Sequence, residues 1–359
     1  MLKKILLIFI FLSSLFGQSK KYYFYDPSID YGSESTFNPV TLWFNGSYDI
    51  LRNGAHTRNI FKQPYKQGYS NVFQNIFHPR KNLDIYGWDN FFRREFLNFE
   101  FDVNESQFLP NVGLHTIGNG MQYMKLAEYY DYHNYPAPHL LSLISLLSFQ
   151  ITNESVENAT FSGANADPIS DLLIFNPIGY LIFSLKPAKI FFSEKVPLYN
   201  WYLQPMIDPM SGTLYNMGQQ WATKIKIFPN SKRSFFINFG ISNVFGISQE
   251  LENDYNISVG LGAIVTKLKE YRKPKSRYVG PGQIDYAMGV YFDRKNSVLA
   301  SALITGPNFY NIKFNMYPGL INFKGIKPGL FIGCGEADGF QFGISLSKFP
   351  LGLGTNFLN

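Results

Sequence analysis

The sequence predicts an all-β membrane protein. The form expected is an antiparallel transmembrane β-barrel of about 10–12 strands with an inserted three-helix segment in its lumen or at its periplasmic mouth. Three observations predict it. Only 16% of the 359 residues are charged, against roughly 25% in ordinary soluble domains, while 18% are aromatic, with 35 Phe and 24 Tyr. No internal run reaches the ~20 apolar residues that a spanning helix needs. The carboxyl-terminal half alternates apolar and small polar residues at the period of a strand.

The chain divides by composition into residues 1–17, 18–112, 113–180 and 181–359. Residues 1–17 read as a secretory signal, with Lys3 and Lys4 as the basic end, Ile5 to Leu12 as the apolar centre, and Ser13 to Gly17 as the cleavage region. Export in a bacterium would then lead to the outer membrane. The formal charge of +6 falls by two when Lys3 and Lys4 leave with the signal. The basic residues are scattered, which argues against nucleic acid as a partner. Their one dense patch, Lys267 to Arg277, reads as a solvated loop that could meet anionic headgroups. Cys334 is the single cysteine, so neither a disulfide framework nor a multi-thiolate zinc site can be built.

Residues 18–112 read as an amino-terminal extension and the first strands. Thr41 to Tyr48 is strand-like, with turn signals at Asn45–Gly46 and Asn53–Gly54. In Phe96 to Val103, Leu97, Phe99, Phe101 and Val103 share one face and Asn98, Glu100 and Asp102 the other. A wall between lipid and a wet interior requires that division. Alternation then becomes sustained at Leu214 to Ile227, Ser234 to Ser248 and Tyr255 to Val265. Phe235, Phe239, Phe245, Ile257, Val259 and Leu261 are opposed there by Ser, Asn and Gly. Further strands are expected at Tyr286 to Phe292, Val298 to Ile304, Tyr310 to Tyr317, Leu330 to Gly335 and Phe340 to Phe349. Asp293 to Asn296 and Thr305 to Asn308 would be turns between them, and Pro281 to Gln283 another turn. Trp201, Tyr202, Tyr215, Tyr310 and Tyr317 fall near strand ends, as an interfacial girdle would. Phe357 gives the carboxyl end an aromatic strand terminus.

Between Gly113 and Tyr180 the period changes to helical. A first helix is expected from Ile117 to Tyr130. A second follows Pro136–Ala137–Pro138, with Leu140, Leu141, Ile144, Leu147 and Ile151 as its apolar face. A third would start at Asp167–Pro168 and end before Pro177 and Gly179. The second is too apolar for water and too short to span, so it must bury against protein or lie at an interface.

This passage carries the residues with chemical potential. His115 could act as a base, although its motif contains no serine; a nucleophile would have to come from elsewhere, such as Ser170. Glu154, Glu157 and Asp171 could do acid–base work or bind a cation, but acids near helix starts more often answer the helix dipole. His56, His78, His133 and His139 lack ligand spacing, so no metal and no cofactor is expected. His115, Gly118, Gly120 and Tyr123, with Glu154 and Glu157, and then Pro168 to Leu172 and Asn176–Pro177–Ile178–Gly179, resemble an uncharacterised family of bacterial outer-membrane proteins. Its members share HP-x-x-G…YY and P-S-x-x-D-L…T-P-x-G-G elements. Thr116 and Asn176 here stand where that family has Pro and Thr. The resemblance implies location and build, with no activity attached.

The function expected is that of a non-enzymatic envelope protein, structural or handling a small or lipidic ligand. Its partners would be membrane lipid or lipopolysaccharide and the barrel-assembly machinery. A membrane-embedded acyl hydrolase using His115 and a secreted soluble lipid-binding barrel are the alternatives.

Overall fold

The computed structural model describes residues 22–53, 57–96, 110–240, 242–273, 276–305, 311–335 and 339–357. Thirteen strands follow one path through a mixed sheet, and Ala164–Asn165 pairs parallel with Ser276–Arg277 off that path. They are β1 (Leu198–Asn200), β2 (Met206–Ile207), β3 (Leu214–Tyr215), β4 (Gln220–Lys226), β5 (Arg233–Gly240), β6 (Ser242–Glu250), β7 (Tyr255–Lys273), β8 (Ser276–Arg294), β9 (Ser297–Thr305), β10 (Ile312–Met316), β11 (Pro328–Gly335), β12 (Gly339–Leu346) and β13 (Gly352–Asn356). The order is β1, then β4 through β13 as an antiparallel meander, then β2 and β3. The β13–β2 pair is parallel, so the sheet is mixed where an all-antiparallel one was expected. Its two ends are not joined by a ladder. Yet β1 on β4 and β2 on β13 are pieces of one extended stretch, Leu198–Ile207.

Long-range contacts show that the sheet is strongly coiled. Laid flat, β4 and β8 would lie about 19 Å apart at about 4.8 Å per step. Instead Lys224 on β4 pairs with Asp293 on β8. The stretch joining β1 to β2 threads the same space. Gln204 donates to the Met316 carbonyl at 3.1 Å and accepts from Ser345 at 2.6 Å, and Tyr317 donates to the Tyr202 carbonyl. Trp201 lies 5.5 Å from the Tyr291 ring and 5.6 Å from Phe236. A cavity of about 30 Å³ remains beside them, room for about one or two waters.

The two faces of the meander divide as the alternation predicts. Ser234, Asn238, Ser248 and Ser258 are buried with Phe236 and Val244. On the opposite face Phe235 (56% exposed), Phe245 (58%), Leu261 (67%) and Leu353 (63%) stand open. The expected girdle does not form: Trp201, Tyr202, Tyr215 and Tyr317 are all core residues. Coiling turns strand ends inward, where large rings fill space better than they would at a rim. Tyr310 lies outside the described residues, as does most of the strand expected at Phe96 to Val103.

Other local expectations change with tertiary context. Leu214 to Ile227 is two strands, because Asn216 (φ 50°) and Gly218 (φ 144°) break the extended run. Ser234 to Ser248 is a hairpin turning at Gly240 (φ 138°). Lys267 to Arg277 is not a loop; it belongs to the 19-residue arms β7 and β8, paired out to Lys273 and Ser276. Pro281 to Gln283 is strand, not turn. The ladder shifts register at Val265, Lys267 and Leu268 opposite it, a bulge that accommodates a residue without an N–H. Lys295 and Asn296 do make the expected turn, both at positive φ.

The remaining elements are helical, including α1 (Pro39–Tyr48), where a strand was expected. Asn38 accepts from the Val40 and Thr41 amides and Pro39 presets φ at the first turn, so capping outweighs the local alternation. Asn45–Gly46 is not a turn. Asn45 is buried, donating to the Thr41 and Leu203 carbonyls, and Gly46 lies against the Phe149 ring. Then come α2 (Tyr65–Phe77), α3 (Asn119–Tyr132), α4 (Pro138–Asn158) and α5 (Asn176–Ser184). The chain before α1 is tied down by Glu128 on α3, whose carboxylate accepts from the amides of Tyr23, Phe24 and Tyr25 at 2.8–2.9 Å.

The helices do not plug the sheet. Their core (Met121, Met124, Leu126, Leu146, Phe149, Phe183) is shared with Leu198, Tyr202 and Trp221. The sheet's inward cluster, around Trp201, Tyr291 and Tyr317, contains no helical residue. Trp221 and its ladder partner Phe239 lie on the face that carries Phe235, so the helical layer covers part of the sheet's apolar outside. No single helix among the described residues is long and apolar enough to cross a membrane.

Candidate functional site

The candidate residues meet where two distorted helix starts cross. A π-helical turn, Pro110–Gly118, leads into α3 and presents His115. The third helix begins at Asp167, passes through a π turn at Asp171–Phe175 and continues as α5, so it does not end before Pro177. Pro177 cannot donate a backbone hydrogen bond. Directly before it the Asn176 amide reaches back five residues to the Asp171 carbonyl, and the wider turn absorbs the proline.

The crossing is close because glycines line it. A Cβ on Gly179 would stand 2.4 Å from the Thr116 carbonyl oxygen, and one on Gly120 would stand 2.8 Å from the Gly179 oxygen. Gly118 lies under the Trp221 ring in the same way, joining the crossing to the sheet.

His115 Nε2 is 3.1 Å from Asp171 Oδ2, and Nδ1 is 3.2 Å from Asn176 Oδ1. Asn119 donates to that same Asn176 oxygen, and Gln219 reaches both Asn119 and the Tyr202 hydroxyl. Asp171 thus anchors to His115. Ser170 Oγ donates to the Asp167 carbonyl at 2.9 Å and to Asp171 Oδ1 at 3.0 Å. Glu154 approaches from α4, fully buried and hydrogen-bonded to Asp171. Burial lifts its carboxyl well above the usual range, and Asp171, Glu157 and Asp167 push it the same way. Burial also raises Asp171, against the pull of His115.

The structure therefore brings together His115, Asp171 and Glu154, with Glu157 at the edge and Gly118, Gly120, Pro177 and Gly179 shaping the crossing. Tyr123 stands apart, bonded to His139 Nδ1 at 3.1 Å and 5.1 Å from the Tyr180 ring. The sequence reading names Asn176 only within the resemblance and gives no role to Asn119 or Gln219. Their signal is an amide directly before Gly120 and Pro177, a polar residue where backbones crowd.

The chemistry this allows is narrow. A nucleophilic mechanism needs the hydroxyl on the histidine. Here the Ser170 hydroxyl bonds the carboxylate instead, and both His115 nitrogens face acceptor oxygens. Among the described residues no group of three His, Cys, Asp or Glu is placed to hold a metal ion. The arrangement is a buried polar knot, in which Asn176 Nδ2 and Glu154 Oε2 are left without a hydrogen-bond partner among the described residues.

Scans against protein families, curated proteins and solved structures find no match to this chain.

Proposed function

We propose that the chain is an outer-membrane β-barrel protein with a non-enzymatic envelope role. Leu198–Ile207 would close its sheet, and membrane lipid or lipopolysaccharide would surround it. One observation carries this reading. Phe235, Phe245, Leu261 and Leu353 face outward while Ser, Asn, Lys224 and Asp293 are buried on the other face. That division is unfavourable in water, where large apolar patches are withdrawn, and favourable in lipid. Closure is supported by the bridging stretch. Ten meander strands (β4 to β13) plus that stretch make an eleven-membered ring, and an odd ring needs one parallel pair, which β13–β2 supplies.

The test is membrane fractionation of the mature chain, followed by gel migration with and without boiling. Recovery with the outer membrane and a heat-dependent shift are expected. A mature chain that stays monomeric in water without detergent would overturn the reading and leave the soluble lipid-binding barrel. Lipid turnover that His115→Ala abolishes in a folded variant would replace the envelope role with the hydrolase.

A further inference from the structure

The helical layer has an outer face of its own, and its composition does not suit water. Leu140 and Ile144 on α4 are 55% and 54% exposed, and Leu181 on α5 is 70% exposed, with Leu173, Ile178 and Phe191 also open. Leu140 and Ile144 belong to the apolar stripe read from the sequence. Leu141 of that stripe packs against the core, but Leu140 and Ile144 turn away from it, and Leu146, Phe149 and Val156 are the fully buried apolar residues of α4.

We propose that this face lies in the headgroup–acyl boundary of a bilayer, held against anionic lipid; the inference rests on the barrel reading above. Four observations converge. The helix Asp167–Ser184 and the segment Lys186–Lys195 together have the length and apolarity of a membrane span, but they meet at 86°. A pair bent so sharply is not a straight span, and both of its limbs can lie flat in the interface plane. The second limb carries Lys186, Lys189 and Lys195 against the single acid Glu194; Lys189 turns to the Tyr23 ring at 5.3 Å, Lys195 is exposed, and the limb keeps a net positive charge of the kind anionic headgroups attract.

An aromatic chain borders the face. Trp88 stacks on Phe92 (6.1 Å), Phe92 meets Phe96 (5.7 Å), and Phe96 meets Phe175 in the third helix (5.0 Å). Exposed Trp and Phe at the rim of an apolar surface suit the headgroup level. Continuity is the fourth observation. The layer covers Trp221 and Phe239 on the sheet's outward face while Phe235 on that face stays open. The layer is therefore attached to the sheet on the same face that the barrel reading sets in lipid.

The experiment uses the full mature chain with Cys334→Ser in proteoliposomes of phosphatidylglycerol and phosphatidylcholine. Single cysteines replace Leu181, Leu261 or the exposed Thr160, each carrying a fluorophore. Quenching is read with lipids nitroxide-labelled near the headgroup or near the chain end. The inference expects Leu181→Cys to lose about twofold in fluorescence, more with the shallow label, and Thr160→Cys to be unaffected. Quenching at Leu261→Cys without quenching at Leu181→Cys would overturn the inference and keep the barrel. Quenching at Leu181→Cys alone would sink the barrel and leave peripheral docking. Quenching at neither site would remove both. Equal quenching at Leu181→Cys in pure phosphatidylcholine would remove the anionic lipid from the proposal.

Discussion

At the scale of single residues, Glu154 and Gly179 show how the helical crossing is specified. Burial raises Glu154, so the folded state keeps a proton that the unfolded chain releases near the ordinary glutamate value. Folding therefore takes up protons above that value. Stability must fall as pH rises through the window up to the folded pKa. Glu154→Gln keeps the shape and a hydrogen-bond donor but cannot ionise. Its melting temperature should match the wild type's in acid, exceed it at alkaline pH, and vary less between them. Circular dichroism melts across the range measure this, and parallel curves would show that Glu154 is not the group responsible. Gly179→Ala sets a methyl group against the Thr116 carbonyl oxygen, a backbone atom that cannot rotate away. A loss of about 1–3 kcal/mol is expected from denaturant midpoints in detergent.

At the scale of elements, local capping and distant contacts compete with periodicity. Thr41 to Tyr48 alternates like a strand, yet Asn38–Pro39 starts a helix there, and Asn45 and Gly46 find tertiary partners only in that form. Asn38→Ala should cost about 1 kcal/mol and fray the first turn of α1, visible as faster amide exchange at Val40 and Thr41. The third helix makes the same point differently. Pro177 reads as a terminator, but a single π turn carries the axis past it. The long β7–β8 hairpin shows the reverse case, since a basic run that looks solvated is ordered by pairing with its own partner arm.

At the scale of the whole molecule, the coiled sheet encloses its own side chains. Trp201, Phe236, Tyr291 and Tyr317 fill the space beside the Lys224–Asp293 pair, leaving room for about one or two waters. The chain reconstituted in planar bilayers should show no conductance above that of the bare membrane. Steady single-channel steps would mean that the interior opens.

Residue order alone determined the sheet-forming half, the face of each outer strand that is apolar, the presence of helices between Gly113 and Tyr180, and the kinship of His115, Glu154 and Asp171 as candidates. Those features follow from periodicity and from residue types whose preferences act over a few neighbours. Only the tertiary structure decided that Trp201 and Tyr317 are core residues, that the helices cover the sheet's outside, and that Asn119 and Asn176 complete the polar knot. Each of these depends on groups far apart in sequence coming within a few ångströms. A local pattern carries no record of which distant surface it will meet.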